Sequence, residues 1–301
     1  GLTSDTPIRF IASDVDGTLV NDAKSVDPEV VSAVRAARES GIRVAIASGR
    51  AWHEMDDVID AMPCLRYFVC TNGAYVMDKE GKKELVHISF DKTRAIDLVR
   101  KLMTYGVFVE AYVKAEIFGQ YPTVGNETLQ AERFFRPNIR PFILKTRTMV
   151  PDLLAHLESL PEGPEKIQIF YGDERIRERI LADLRDDFQG AATDGKGRER
   201  FYDVLESSEG NLEFVLPHTT KGTAVEALAN HWGYTPDEVM TIGDSENDLS
   251  MIRFAGASVA MGNARDNVKA AARYETTDNN NYGVARALYS AIAHNRELEG
   301  K

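Results

Sequence analysis

Apolar and polar positions along the 301-residue chain follow two rhythms. Between residues 8 and 70, short β-branched runs alternate with longer amphipathic ones. IRFIAS (8–13) reads as a buried strand. DPEVVSAVRAARESG (27–41) reads as a helix with Val30, Val34 and Ala37 on one face. Asp27 is placed to cap it, Pro28 suits its first turn and Gly41 its end. RVAIA (43–47), AWHEMDDVIDAM (51–62) and YFVC (67–70) continue as strand, helix and strand. This β-α-β-α-β order predicts a parallel sheet with helices on both faces.

After about residue 85 the rhythm changes. LVHISF leads into a helix at 91–106, and VFVEAYV and EIFGQY then read as paired strands. Residues 124–142, with two prolines, are expected to be irregular. A helix near 151–159, a strand at 166–171, a helix at 173–188 and the strand-like RFYDVLES and NLEFVLP follow. Strands that neighbour one another rather than alternate with helices indicate an α+β module. From 217 the alternation returns: helix 219–233 with Val225, Leu228 and Trp232 inward, strand EVMTIG (238–243), helix DLSMIRFAG, strand ASVAM, helix NARDNVKAAA and a last helix at 282–295. The fold class expected is α/β, a Rossmann-like parallel-sheet core made of residues 1–85 and 217–301. An α+β domain, 86–216, is inserted in it. The Asn-rich DNNNYG (278–283) reads as a turn.

Composition narrows the function classes. With 43% apolar residues the chain supports a sizeable core. A net charge of -11 argues against phosphate-backbone binding, which needs clustered Lys and Arg. The short basic GKGRER (195–200) reads as a solvated turn. Cys64 and Cys70, the two cysteines, fit neither a disulfide framework nor a metal site and are expected as core fillers. No apolar run approaches the roughly 20 residues of a membrane span, and GLTSDTPIR lacks a signal-peptide pattern. The expectation is a soluble cytoplasmic protein without nucleic-acid or membrane partners.

Four short stretches follow strand-like runs or open a helix: DVDGT (14–18), SGR (48–50), TKG (220–222) and GDSEND (243–248). Ligands of open parallel sheets bind outside the carboxyl ends of the strands, so these stretches converge there. Asp14, Asp16, Asp244 and Asp248 then crowd negative charge, which a hard divalent cation relieves. Ser48, the amides around Gly49 and Lys221 supply the opposite sign for a phosphate. An EF-hand is excluded. Counted from Asp14 the sixth residue is Leu19, and counted from Asp244 the sixth and twelfth are Leu249 and Ala255, where Gly and an acid are required. The chain also holds no HEXXH, Ser-His-Asp or dinucleotide-binding pattern.

Taken together and in order, these stretches resemble the four motifs of the haloacid dehalogenase (HAD) superfamily: FIASDVDGTLV, Ser48 in IASGR, Lys221 in TTKG and IGDSENDLSM. TNGA (71–74), MGNARDNVKAAA (261–272) and NYGVARAL are similar to the Cof-like sugar-phosphate phosphatases of subclass IIB, which carry an α+β (C2B-type) cap between the second and third motifs. Tyr282 departs from that pattern, where many relatives have an acidic residue before the Gly. The resemblance implies a phosphatase. Asp14 is then the nucleophile, forming an aspartyl-phosphate, and Asp16 the general acid and base. Thr18 supports their loop. Mg²⁺ is held by Asp14, the backbone carbonyl of Asp16, and Asp244, while Asp248 acts through water or orients Lys221. Ser48, Gly49, Lys221 and Asn247 grip the phosphoryl oxygens.

The cap is expected to act as lid and specificity filter. Arg50 either reaches substrate or forms a salt bridge within the core. Tyr121, Arg136 and Arg140 are cap candidates for meeting a polar substrate, set against ordinary structural roles. His53 and His87 are expected to be surface or packing residues, and Trp52 and Trp232 to pack. The expected partner is a small phosphorylated metabolite, sugar phosphates first, acted on by a monomer or weak homo-oligomer. Two rival functions stand beside it: a phosphomutase using the same aspartate pair, and a non-catalytic phosphate-ligand sensor.

Overall fold

The computed structural model describes residues 1–187, 200–207 and 209–301, so most of GKGRER lies outside the described residues. The chain divides into two compact units, Gly1–His87 with Thr219–Lys301, and Ile88–His218. In chain order the first unit begins with Phe10–Asp14 (β1), Pro28–Glu39 (α1), Arg43–Ala47 (β2), Asp56–Ala61 (α2), Tyr67–Cys70 (β3), Tyr75–Asp78 (β4) and Lys83–His87 (β5). The second unit holds Lys92–Met103 (α3), Phe108–Val113 (β6), Glu116–Gln120 (β7), Glu127–Phe134 (α4), Arg140–Thr146 (α5) and Thr148–Met149 (β8). Leu153–Ser159 (α6), Lys166–Phe170 (β9), Glu174–Arg185 (α7), Asp203–Ser207 (β10) and Asn211–Val215 (β11) complete it. The first unit resumes with Lys221–Trp232 (α8), Val239–Gly243 (β12), Leu249–Phe254 (α9), Ala257–Ala260 (β13), Asp266–Ala271 (α10), Tyr274–Glu275 (β14) and Gly283–Glu299 (α11).

Eight strands form the first unit's sheet in the order β14-β13-β12-β1-β2-β3-β4-β5. Every pairing from β14 to β3 is parallel, but β4 and β5 are antiparallel. The parallel sheet read from the sequence is therefore mixed at one edge. The cause is the short link between β3 and β4, residues 71–74. A parallel crossover needs a dozen or more residues, so this link can only reverse the chain. Because β5 pairs with β4 as far as His87, the first unit extends past residue 85.

The central strands are buried on both faces, which is why they read as continuous apolar runs. Ile11, Ile46 and Ile242 face one core layer with Val34 of α1 and Leu288 of α11. Phe10, Ala45 and Val239 face the other with Val225 and Leu228 of α8. Trp52 and Trp232 both pack. Trp52 meets Phe68 edge-on at 4.9 Å, and Trp232 lies 5.1 Å from Phe10 and 4.8 Å from Tyr67. The helix read over 51–62 is split into a tight turn, Trp52–Met55, and α2.

The second unit carries a six-stranded sheet, β10-β11-β9-β6-β7-β8, antiparallel except for the β7–β8 pair. Residues 124–142, expected as irregular, instead contain α4 and the start of α5. ETLQAERF has neither Gly nor Pro and buries Gln130, Ala131 and Phe134 on one side. Neither proline interrupts a helix. Pro137 lies between the two, and Pro141 sits in the first turn of α5, where a missing N–H costs nothing. No helix among the described residues is long and apolar enough to cross a membrane.

Candidate active site

Three neighbouring parallel strands, β2, β1 and β12, end at one edge of the sheet. Their ends carry Ser48, Asp14 and Asp244, and α8 opens with Lys221. Thr220 caps that helix by accepting the Thr223 N–H, at 3.1 Å, which fixes where Lys221 starts.

The centre of the site is a buried chain of charge. Lys221 Nζ donates to Asp14 Oδ1 at 2.7 Å and to Asp248 Oδ1 at 2.8 Å. Asp248 Oδ2 accepts the backbone N–H groups of Asp244 and Ser245, at 3.0 and 3.1 Å. The Thr18 hydroxyl lies 3.1 Å from Asp244 Oδ1 and 3.3 Å from Asp14 Oδ2. Asp14, Asp244 and Asp248 each offer a carboxylate oxygen, all within 4.8 Å of one another.

Burial dominates the electrostatics. It pushes the Asp14 carboxyl up to about 6, with Lys221 opposing the shift. Burial and the charge of Asp14 push Asp248 to about 6 as well, again against Lys221. Burial pulls the Lys221 ammonium down, but the two carboxylates outweigh it and hold the group above its ordinary value. Three carboxylates around one ammonium leave negative charge uncompensated, and an oxygen-only donor set suits a hard divalent cation. Both oxygens of Asp248 are already committed to Lys221 and to amides. Asp14 and Asp244 are therefore the better direct donors.

The turn after β1 explains the Gly of DVDGT. Gly17 has φ +74°, and a Cβ there would lie 2.3 Å from Asp244 Oδ2. Glycine lets the turn close against the neighbouring carboxylate. Asn263 Nδ2 holds the turn by donating to Gly17 O at 2.8 Å, and Asn279 Nδ2 donates to Val20 O at 3.1 Å. The stretches MGNARD and DNNN thus brace the loop that bears the two aspartates.

Asp16 is outside the three-carboxylate group. Arg50 grips its carboxylate with two parallel bonds, Nη2 to Oδ1 at 2.6 Å and Nε to Oδ2 at 3.1 Å. Arg50 also reaches Glu54 O and Asp57 Oδ1, at 3.1 and 3.2 Å. Of its two expected roles, the salt bridge is the one present.

Ser48 is buried, and its Oγ accepts the Arg50 N–H at 3.0 Å. Gly49 lies against the Asn72 side chain, and Asn72 Oδ1 accepts from Asn247 Nδ2 at 3.4 Å. Thr71, Asn72 and Gly73 all have positive φ. Their turn is tied down by Thr71 N–H to Arg50 O and Asn72 N–H to Ser48 O, each 2.9 Å. A Cβ at Gly73 would meet Thr220 O at 2.1 Å, so the turn also packs on the start of α8. Asn72 is the site residue that sequence reasoning missed. The signal was a TNG stretch directly after a strand, since Asn tolerates left-handed backbone.

The remaining candidates pack, hydrogen-bond within their own unit or are exposed. In the second unit Tyr121 packs on Phe108 at 5.1 Å, and Arg140 Nη2 donates to Phe135 O at 2.9 Å, while Arg136 is exposed. His53 and Tyr282 are exposed, and His87 meets Tyr75 edge-on at 5.9 Å. Cys70 is buried and Cys64 half-buried, both as free thiols.

Comparison with known proteins identifies the family. The model of the haloacid dehalogenase-like hydrolase family matches residues 11–288. Phosphatase YwpJ of Bacillus subtilis is 30% identical over 290 residues, 93% of this chain and 99% of that protein. The 5-amino-6-(5-phospho-D-ribitylamino)uracil phosphatase YcsE of the same organism is 27% identical, covering 94% and 96% of the two chains. A crystal structure of a haloacid dehalogenase-like hydrolase from Bacteroides thetaiotaomicron superposes with a TM-score of 0.76 at 28% identity, over 94% of this chain and 99% of that one. The chain belongs to the haloacid dehalogenase-like hydrolase family, in its Cof-like branch. It is an enzyme of the phosphatase type.

Proposed function

We propose that the protein is a Mg²⁺-dependent phosphatase of small phosphorylated metabolites, sugar phosphates first, working through an aspartyl-phosphate on Asp14. The observation that carries this reading is the buried Asp14–Lys221–Asp248 chain beside Asp244 at the strand ends. A carboxylate is a phosphoryl acceptor only when its charge and that of the phosphate are both balanced, and this site holds one fixed cation beside carboxylates that could hold a second.

In this reading Asp14 Oδ2, the oxygen not bonded to Lys221, attacks phosphorus as the bond to the leaving oxygen breaks. Asp16 protonates that oxygen, then takes a proton from the water that attacks the aspartyl-phosphate. Inorganic phosphate leaves and the Asp14 carboxylate is restored. To serve, Asp16 has to leave the Arg50 fork. Lys221 spans Asp14 and the phosphoryl oxygens, and Asp248 fixes Lys221 in place. Ser48, with its oxygen taken by the Arg50 N–H, has its hydroxyl proton to give. With the amide of Gly49 and the side-chain amide of Asn247 it grips the phosphoryl group, and Asn72 orients Asn247. Asp14, the Asp16 carbonyl and Asp244, with Asp248 behind, would hold Mg²⁺, which would supply counter-charge to the phosphoryl oxygens. The inserted unit is assigned the role of substrate filter. The ribitylamino phosphate in the name of YcsE supports a phosphate ester on a small polyhydroxylated chain.

The test is phosphate release from a panel of sugar phosphates, ribityl phosphates and pyridoxal phosphate, with Mg²⁺ and with EDTA. Metal-dependent release is expected. An isomeric phosphate ester with little free phosphate would instead identify a mutase, and binding without turnover a sensor.

A further inference from the structure

We propose a second anion site, for a phosphate-like oxyanion, at the opposite end of the same sheet, centred on Arg43. A cavity of about 260 Å³ opens there, lined by Arg38, Arg43, Arg66, Cys64, Tyr67 and Tyr234. Arg43 opens β2 and Ser48 follows its end. Five residues at about 3.3 Å each put roughly 16 Å between this cavity and the catalytic edge.

The pairing of charges around the cavity singles out Arg43. Arg38 is held by Glu80, and Arg66 by both oxygens of Asp78 at 2.9 and 3.0 Å. Arg9, which precedes β1 and whose carbonyl accepts the Arg43 N–H at 2.9 Å, pairs with Glu238 at 2.9 Å. Among the described residues Arg43 alone of these four has no carboxylate. Its Nη1 donates to Tyr67 OH at 2.8 Å and its Nε to Tyr234 OH at 3.2 Å. Its guanidinium lies 4.6 Å from the Trp232 ring centre. The fork is thus pre-positioned by phenols and an aromatic face rather than neutralised.

Those phenols matter chemically. Each oxygen accepts from Arg43, so each O–H proton is available to another acceptor, and the described residues supply none. Arg43 and the two tyrosines therefore line the cavity with donors only. An oxyanion matches that demand, because it accepts several charge-assisted bonds at once. The cavity is also smaller than the ~300–1,000 Å³ of sites for drug-sized molecules. In a chain of net charge -11, an arginine without a carboxylate, flanked by two phenol donors, is a specific local reversal of sign.

The experiment is equilibrium dialysis with labelled inorganic phosphate in EDTA, on wild type and on Lys221→Ala, which weakens the catalytic site. Lys221→Ala is expected to retain about one phosphate per chain. Adding Arg43→Leu, or the shape-conserving pair Tyr67→Phe and Tyr234→Phe, is expected to weaken that binding at least tenfold. Arg43→Leu in the wild type is expected to lower the stoichiometry by one while phosphatase turnover continues. Far-UV circular dichroism confirms that each variant is folded. Displacement by a sugar phosphate as strong as that by sulfate would identify a phosphorylated metabolite as the ligand, and displacement by sulfate alone the free anion. No phosphate bound to Lys221→Ala, or binding that survives both the Arg43 and the tyrosine changes, would overturn the proposal and leave a water-filled pocket.

Discussion

At the scale of single residues, Lys221 decides the site. It is fully buried between two carboxylates, so removing it leaves like charges facing each other without water. Breaking a buried pair from one side costs about 3–5 kcal/mol. Lys221→Met is therefore expected to lower unfolding free energy by about 3 kcal/mol or more at neutral pH, read from denaturant melts. Without the Lys221 charge that opposes their rise, Asp14 and Asp248 take up protons at higher pH than in the wild type, so the deficit should be smaller at pH 5 than at pH 8. An equal deficit at pH 5 and pH 8 would contradict the charge argument. Asp16 makes a different prediction. A general acid matters most when the leaving oxygen is a poor leaving group. Asp16→Asn is expected to slow alkyl phosphate hydrolysis about 10²–10⁴-fold. An aryl phosphate, whose leaving group needs no proton, should suffer far less. Equal losses on both would mean that Asp16 only shapes the loop.

At the scale of elements, the turn after β1 carries the strictest demand. Gly17→Ala puts a methyl group within 2.3 Å of Asp244 Oδ2 at a backbone φ of +74°. Such strain costs about 1–3 kcal/mol. The turn must open or Asp244 must move, so Mg²⁺ affinity by calorimetry is expected to fall even where the protein remains folded. Unchanged affinity would separate Gly17 from the metal site. This scale also shows what the sequence makes legible. β1, β2, β3 and β12 were readable because strands buried on both faces are continuous apolar runs, and α8 because Gly233 marks its end. The positions of Asp14, Ser48, Lys221 and Asp244 followed from those strand ends and that helix start. The β4–β5 hairpin escaped because β4 is only four residues long and the edge strand β5 is half-exposed. Helix α4 escaped because nearby prolines looked like breakers while standing outside it. Asn72 and the bracing asparagines, Asn263 and Asn279, escaped because their partners lie far away in sequence. The destination of the Asp16 carboxylate was equally hidden. Two aspartates at i and i+2 share a face only while the strand continues, and β1 ends at Asp14.

At the scale of the molecule, the same buried carboxylates link metal binding to stability. With Asp14 and Asp248 raised to about 6, the metal-free native state holds more protons than the unfolded chain between about pH 4 and 6. Their contribution is thus lost as pH rises through that window. A cation competes with those protons below about pH 6 and binds freely above it. The gain in melting temperature from saturating Mg²⁺ over EDTA is expected to grow from pH 5 to pH 7. A gain independent of pH would place the cation elsewhere. The most direct measurement of the central claim is a rapid acid quench during turnover, followed by peptide mass spectrometry. A phosphoryl adduct is expected on the peptide bearing Asp14, absent from Asp14→Asn, which should also release no phosphate. An adduct on another residue, or turnover that survives Asp14→Asn, would contradict it.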